Sequence, residues 1–403
     1  MADTHHYATL CAAIAGEALP AALVDLDAFD RNIERLLAPV RAAKKTLRVA
    51  SKSVRCPDLL RRIAERGGEA VRGLMVYSAR EAAFLAAQGF DDLLLAYPCA
   101  HPVDIAHVVA ANERGRCAVV IDSEEQLALL AEAGVAHGIE IPVVVELDMS
   151  YRPLGRALHI GVRRSPVRSA AQVVALARRA DDGAGLRFGG VMAYEAQIAG
   201  LTDDNPFARA LDWPKRLLKQ LSRRDVEARR TAVRDALARA GLDCALYNGG
   251  GTGSLAWCSG ESALTEVTAG SGFLCSHLFD YYHQGLALEP AALFALQVVR
   301  RPAPNVVTCH GGGYVASGEA GRDRLPVPYL PRGLTLFDLE GAGEVQTPMR
   351  LPDGVFLALG DPVFMRHAKA GELAEHFGAY LLYQGGRIVG RAPTYRGLGQ
   401  TFL

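Results

Sequence analysis

Eight short apolar runs, separated by stretches with helical periodicity, constrain the fold of this chain more than any other feature. The runs cover residues 22–27, 47–51, 74–78, 93–97, 118–122, 142–148, 188–193 and 243–247. Each has the length and near-continuous apolar character of a strand buried on both faces, as in a parallel sheet. After the first run, Phe29, Ile33, Leu36, Leu37 and Val40 fall on one face of a helix, and residues 125–136 and 170–180 repeat that pattern. Such alternation over residues 22–250 predicts an α/β chain folded as a (β/α)8 TIM-type barrel. The competing architecture, an open doubly wound sheet, usually has a glycine-rich turn after its first strand. Here that strand exits through Val24-Asp-Leu-Asp-Ala-Phe29, without glycine.

After about residue 275 the long helical patterns stop. Extended segments follow at 293–299, 306–308, 334–338, 355–359 and 379–383, with Gly385-Gly386 as a hairpin turn and Pro326, Pro328 and Pro331 marking an extended loop,. Two domains are expected: a barrel over 20–275 and a smaller β-rich domain over 276–403, which residues 1–19 either join or precede. At 403 residues the chain has room for both,.

Forty-four Lys and Arg balance 44 Asp and Glu, so charge gives no case for a nucleic-acid or membrane partner. No apolar run approaches the roughly 20 residues that span a bilayer, and the start lacks the pattern of a secretory signal. The eight cysteines form no C-x-x-C pair, which argues against a disulfide framework. A cytoplasmic protein with a small-molecule partner is expected. Within the balanced charge, lysine is rare: only Lys44, Lys45, Lys52, Lys215, Lys219 and Lys369. Helical stretches account for four of them. Lys52 and Lys369 need another reason.

Barrel chemistry sits at the C-terminal ends of the strands. Lys52, Asp148, the pair Tyr194-Glu195 and the loop Asn248-Gly-Gly-Gly-Thr-Gly-Ser254 all fall there. The glycine loop is suited to present backbone N–H groups to an anion, and a second loop, Ala269-Gly-Ser-Gly272, follows it. A plain flexible turn is the alternative. A desolvated lysine amine attacks aldehydes, so Lys52 opposite a phosphate site implies pyridoxal phosphate (PLP). A rim ion pair between Lys52 and Asp148 fits its position equally well.

The chain resembles the fold-type III PLP enzymes, which share the alanine racemase fold, and within them the D-threonine aldolase and D-serine dehydratase family. The matching pieces, in order, are Ala22-Leu-Val-Asp-Leu-Asp27, Lys52, Val145-Glu-Leu-Asp148, Gly161-Val162, Gly190-Val-Met-Ala-Tyr194-Glu195, Gly249-Gly-Gly-Thr252-Gly253 and Glu266-Val-Thr-Ala-Gly270-Ser271. The resemblance implies that Lys52 holds PLP as a Schiff base. It also implies that Gly250, Gly251, Thr252, Gly270, Ser271 and Gly272 hold the phosphate, and that Tyr194 lies beside the cofactor. The family has an arginine near the cofactor ring just before a Gly-Val. Here His159 stands close to that place, with Arg152 and Arg163 nearby. The family's residues after the PLP lysine are often Thr-His, whereas this chain has Ser53-Val54.

The family also has a divalent metal site built from His-x-Cys or His-x-Asp. His367 matches its first ligand and Lys369 replaces its second. An ammonium has no lone pair to offer a metal, so no metal ligands are assigned. Lys369 is expected to stand where the metal charge would sit, polarising the substrate's β-hydroxyl or binding its carboxylate; a surface lysine is the alternative. His367 is the candidate general base. Cys309-His310, Tyr314 and Tyr329 are further residues that the second domain could bring to the mouth. The resemblance implies a homodimeric PLP-dependent lyase, an aldolase or dehydratase/deaminase, acting on a small β-hydroxy D-amino acid. An amino-acid racemase, a non-enzymatic PLP-binding protein and a phosphosugar enzyme are the alternatives.

Overall fold

The computed structural model describes residues 2–155, 157–319, 321–369 and 371–402. A first strand, β1 (Ala21–Asp25), is followed by a helix (Leu26–Ala42) whose N-terminus is capped by the Asp25 carboxylate, accepting from the N–H groups of Asp27 and Ala28,. Eight parallel strands then close into a barrel: β2 (Thr46–Ala50), β3 (Val71–Val76), β4 (Leu93–Leu95), β5 (Cys117–Ile121), β6 (Ile141–Glu146), β7 (Leu186–Met192), β8 (Leu246–Gly249) and β9 (Glu266–Ala269). The ring shuts where β9 pairs with β2, Leu47 opposite Val267. Alternate residues divide the packing. Val143 and Val145 face the surrounding helices, whereas Val144 joins Leu94, Val120 and Met192 in a separate inner cluster,. Serines 78, 123 and 169 cap the helices that follow β3, β5 and the long loop after β6,.

The expected (β/α)8 barrel with a smaller β-rich domain is therefore the architecture, but its strand count shifts by one. Run 22–27 lies outside the barrel. As β1 it pairs antiparallel with β10 (Ala292–Ala303) and parallel with a strand near the C-terminus. The barrel boundary drawn at residue 20 thus moves past Asp25. A strand buried on both faces reads the same in either sheet, so its sequence could not assign it. The strand missed was β9. Its Glu266 and Thr268 interrupt the apolar pattern, yet they point inward, where Arg48 and Asn248 satisfy them.

The second sheet continues with β11 (Val306–His310), β12 (Val327–Leu330), β13 (Thr335–Leu336), β14 (Gln346–Arg350), β15 (Pro362–Arg366), β16 (Ala379–Gln384) and β17 (Arg387–Pro393). Its main order is β13-β14-β11-β10-β1-β16-β17, with β15 also on β10 and β12 on β15. Gly385 and Gly386, with φ of 56° and 86°, form the expected hairpin turn,. Three expectations are corrected. Residues 355–359 form no strand, 334–338 shrink to β13, and the proline segment holds β12, an edge strand where Pro328 costs no ladder bond,. The N-terminal helix (Ala2–Ala13) packs Leu10 against Leu293, Phe364 and Leu381 of this sheet.

Candidate active site

Lys52 sits in a single turn (Ser51–Ser53) directly after β2. Ser51 Oγ anchors that turn to the Met75 carbonyl at 3.0 Å, and Arg55 Nε donates to the Lys52 carbonyl at 2.9 Å. The second domain touches the same turn. A Cβ on Gly371, whose φ is +94°, would collide with the Lys52 carbonyl oxygen, so only glycine allows this approach. The Lys52 amine is 3.2 Å from the Tyr97 hydroxyl. Among the described residues no carboxylate lies within ion-pair distance of it. Asp148, the rim partner considered from sequence, is buried and instead accepts from Ser150 N at 2.9 Å, from Arg152 at 2.8 Å and from Arg168. Those bonds hold its carboxyl below the usual range against the opposing effect of burial.

The two glycine loops meet at the same rim. Gly272 N–H donates to Thr252 Oγ1 at 3.1 Å, tying the turn after β8 to the one after β9. Each loop opens a short helical turn, Thr252–Ser254 and Ser271–Leu274, whose first N–H groups have no partner within the turn. Side chains would fill the approach: a Cβ on Gly251 would lie 3.3 Å from the Tyr194 ring, and one on Gly270 2.8 Å from Ser53 Oγ. Beneath the first loop is a fully buried ion pair of Glu195 and Arg230. Glu195 also accepts from Gly250 N–H at 3.1 Å, from the Ser254 hydroxyl and from the Cys258 thiol at 3.3 Å, while Arg230 reaches Glu261 as well. Desolvation opposes the Glu195 charge, but Arg230 and the loop donors outweigh it and hold its carboxyl below the usual range.

Tyr97 and Tyr194 flank Arg164, whose guanidinium is 6.0 Å and 5.8 Å from the two ring centroids,. Burial pushes the Tyr194 phenol up to about 12. Glu146, at the end of β6, is pushed up to about 7 by burial, with the Arg164 charge opposing that rise. His159 bonds instead within its own loop, to the Val162 carbonyl at 3.0 Å. The arginine at the rings is thus Arg164, which sequence reading missed because it follows the Gly-Val pair rather than preceding it. Tyr97 was also missed; its place at the end of the apolar run 93–97 was the available signal.

The remaining candidates come from the second domain. His367 follows β15 and is 2% exposed; neither ring nitrogen has a hydrogen-bond partner among the described residues. Burial, with the Arg366 charge and His277 adding to it, lowers its pKa to about 3. Lys369 Nζ donates to Ser317 Oγ at 2.8 Å. Both residues line a small cavity with Tyr314, Glu372 and His376, the Tyr314 and His376 rings stacked with centroids 4.4 Å apart. Tyr329 instead packs on Arg332, 4.2 Å from ring centroid to guanidinium, and Cys309 and His310 belong to the β11–β14 ladder.

A lysine at the mouth of a closed parallel barrel, two joined glycine loops and a β domain folded onto that lysine's turn define the architecture of the alanine racemase-like proteins. The chain belongs to the family described as alanine racemase, N-terminal domain, whose pattern it matches over residues 24–274. It is 26% identical over 358 residues to a D-threonine aldolase of Arthrobacter sp., covering 86% of this chain and 87% of that one. To a 3-hydroxy-D-aspartate aldolase of Paracoccus denitrificans it is 26% identical over 318 residues, 77% and 75% of the two chains. The crystal structure of D-threonine aldolase from Filomicrobium marinum superposes with a TM-score of 0.81 at 22% identity, over 94% and 95% of the chains. That structural likeness shows the fold.

Proposed function

We propose that this protein is a PLP-dependent lyase that cleaves or dehydrates small β-hydroxy D-amino acids. The observation that carries the reading is the Gly272–Thr252 bond, which joins two glycine loops into one anion cradle on the rim that bears Lys52. The names of the related aldolases support the reaction class. The residues fit the cofactor: Lys52 would hold its aldehyde end, Gly250, Gly251, Thr252, Gly270, Ser271 and Gly272 would surround its phosphate, and Tyr194 and Arg164 its ring; the Gly250, Gly251 and Gly272 N–H groups brace the loops on Glu195, Ser254 and Thr252, so these three shape the cradle and the others donate. When bound, PLP supplies an electron sink for charge released at the substrate's Cα.

The chain's own side chains supply the rest. Tyr97 fixes the Lys52 amine. Burial keeps the His367 imidazole neutral, so a ring nitrogen can accept a hydrogen bond from the substrate's β-hydroxyl and fix its orientation. The low pKa of His367 makes it a weak final acceptor,, so its part is chiefly to position the hydroxyl. The reading includes no divalent metal: Lys369, whose ammonium has no lone pair to offer, stands where the resemblance places the second ligand, and it lines the same cavity as His367,.

The β domain lying on the Lys52 turn favours an enzyme over a single-barrel PLP carrier. The same reading includes a homodimer working in the cytoplasm, the dimer being testable by light scattering. No described helix is long and apolar enough to cross a membrane. The test is incubation of the PLP-loaded protein with single D- and L-enantiomers of β-hydroxy amino acids in heavy water. Aldehyde plus glycine, or keto acid plus ammonia, from D-enantiomers alone is expected. Enantiomer exchange without such products would overturn the lyase reading in favour of a racemase.

A further inference from the structure

Lys369 and Arg324 come together at the loop 316–318 of the second domain: Lys369 bonds Ser317, and a Cβ on the next residue, Gly318, would lie 3.5 Å from Arg324 Nε. The Arg324 and Lys52 charges both act on Lys369, adding to the effect of burial, while Glu372 opposes them. Glu372 is already engaged, accepting the Ser317 N–H at 3.1 Å and 2.9 Å. That grip fixes Ser317, whose hydroxyl takes the Lys369 ammonium at 2.8 Å. Arg324 is held through its own backbone, its carbonyl accepting the Ala316 N–H at 2.9 Å. Its Nε is buried without a hydrogen-bond partner among the described residues. The nearest acid, Asp323, is 4.0 Å from that nitrogen and takes a bond from Asn205 at 3.2 Å. Tyr282, whose phenol feels the Arg324 charge, packs against Gly253 of the glycine loop.

Like charges gathered in a partly desolvated space repel. With Lys52 reserved for the cofactor, the cations open to an anion here are Lys369 and Arg324, and the acid beside Lys369, Glu372, is held by the Ser317 N–H. We propose that Lys369, Ser317 and Arg324 form a carboxylate-binding site that seats the substrate. The inference rests on the lyase reading for its substrate. Two carboxylates qualify: the α-carboxylate of any amino acid, or a second carboxylate ending the substrate's side chain. A guanidinium and an ammonium bridged by a hydroxyl suit either, since charge-assisted bonds are the strong ones.

The test uses PLP-loaded wild type, Lys369→Met and Arg324→Gln, each checked for fold by circular dichroism. Two substrates are compared, D-threonine with one carboxylate and 3-hydroxy-D-aspartate with two, and succinate binding is followed by calorimetry. Each variant is expected to raise KM by about tenfold or more, the loss of one charge-assisted bond, with kcat falling less than KM rises. A rise for both substrates assigns the site to the α-carboxylate, and a rise for the two-carboxylate substrate alone assigns it to the side chain. Unchanged KM for both substrates overturns the inference. Succinate should bind the wild type and bind each variant about tenfold more weakly. Equal binding by all three proteins, or none by the wild type, overturns the inference whether or not any substrate turns over. Absence of turnover with intact succinate discrimination sinks the lyase reading alone.

Discussion

Glu195→Gln tests whether the buried ion pair shapes the cofactor cradle. Glu195 accepts four donors: Arg230, Gly250 N–H, the Ser254 hydroxyl and the Cys258 thiol. Arginine and backbone N–H groups can only donate. The new amide must therefore turn its NH2 toward Ser254, whose hydroxyl already accepts the Gly251 N–H at 3.1 Å. Its proton must then swing to the Gly251 carbonyl, 3.3 Å away. Arg230 keeps Glu261 but loses the other half of its compensation. Breaking a buried pair from one side costs about 3–5 kcal/mol, and the surviving Glu261 contact places this change near about 3. Because the lost acceptor also holds the glycine loop, PLP affinity should fall at least about tenfold, or about 1.4 kcal/mol. Urea unfolding reads the first effect and absorbance titration of the apo-protein with PLP the second. Glu261→Gln is the control, since Glu261 contacts Arg230 and none of the loop donors. It should destabilise the fold yet leave PLP affinity within about twofold. Wild-type affinity in Glu195→Gln, or equal losses in both variants, would refute the reasoning.

Two other perturbations follow from the same geometry. His367 has a depressed folded pKa of about 3 against about 6.5 unfolded; its stabilising contribution is present above pH 6.5 and is lost as pH falls through that window toward 3. By pH 5 the loss is about 2 kcal/mol, so His367→Asn should gain that much on wild type between pH 7 and pH 5 in urea unfolding; parallel curves would contradict it. Gly371→Ala sets a methyl against the Lys52 carbonyl at φ +94°, and should cost about 1–3 kcal/mol and lower turnover, read from melting curves and initial rates. Wild-type melting would mean that the two domains do not press together there.

Much of the fold is legible in the chain because buried parallel strands announce themselves as apolar runs, and seven of the eight runs are barrel strands. The exceptions have separate causes. β1 is apolar on both faces, as a barrel strand would be, while β9 hides two inward polar residues whose partners, Arg48 and Asn248, lie far away in sequence. At the site, the glycine loops and Lys52 stood out through rarity and position. Arg164 did not, because an arginine in an arginine-rich chain carries no signal until Tyr97 and Tyr194 close around it. Nor did the neutral state of His367 or the engagement of Asp148 with arginines, which depend on burial and on contacts across the fold.

The central claim is that Lys52, alone among six lysines, carries the cofactor. Borohydride reduction of the PLP-loaded protein, followed by peptide mass mapping, tests it directly. The account predicts one pyridoxyl adduct, on the peptide containing Lys52, and none in Lys52→Ala. No adduct on the wild type, or an adduct on Lys369 or any other lysine, would contradict it.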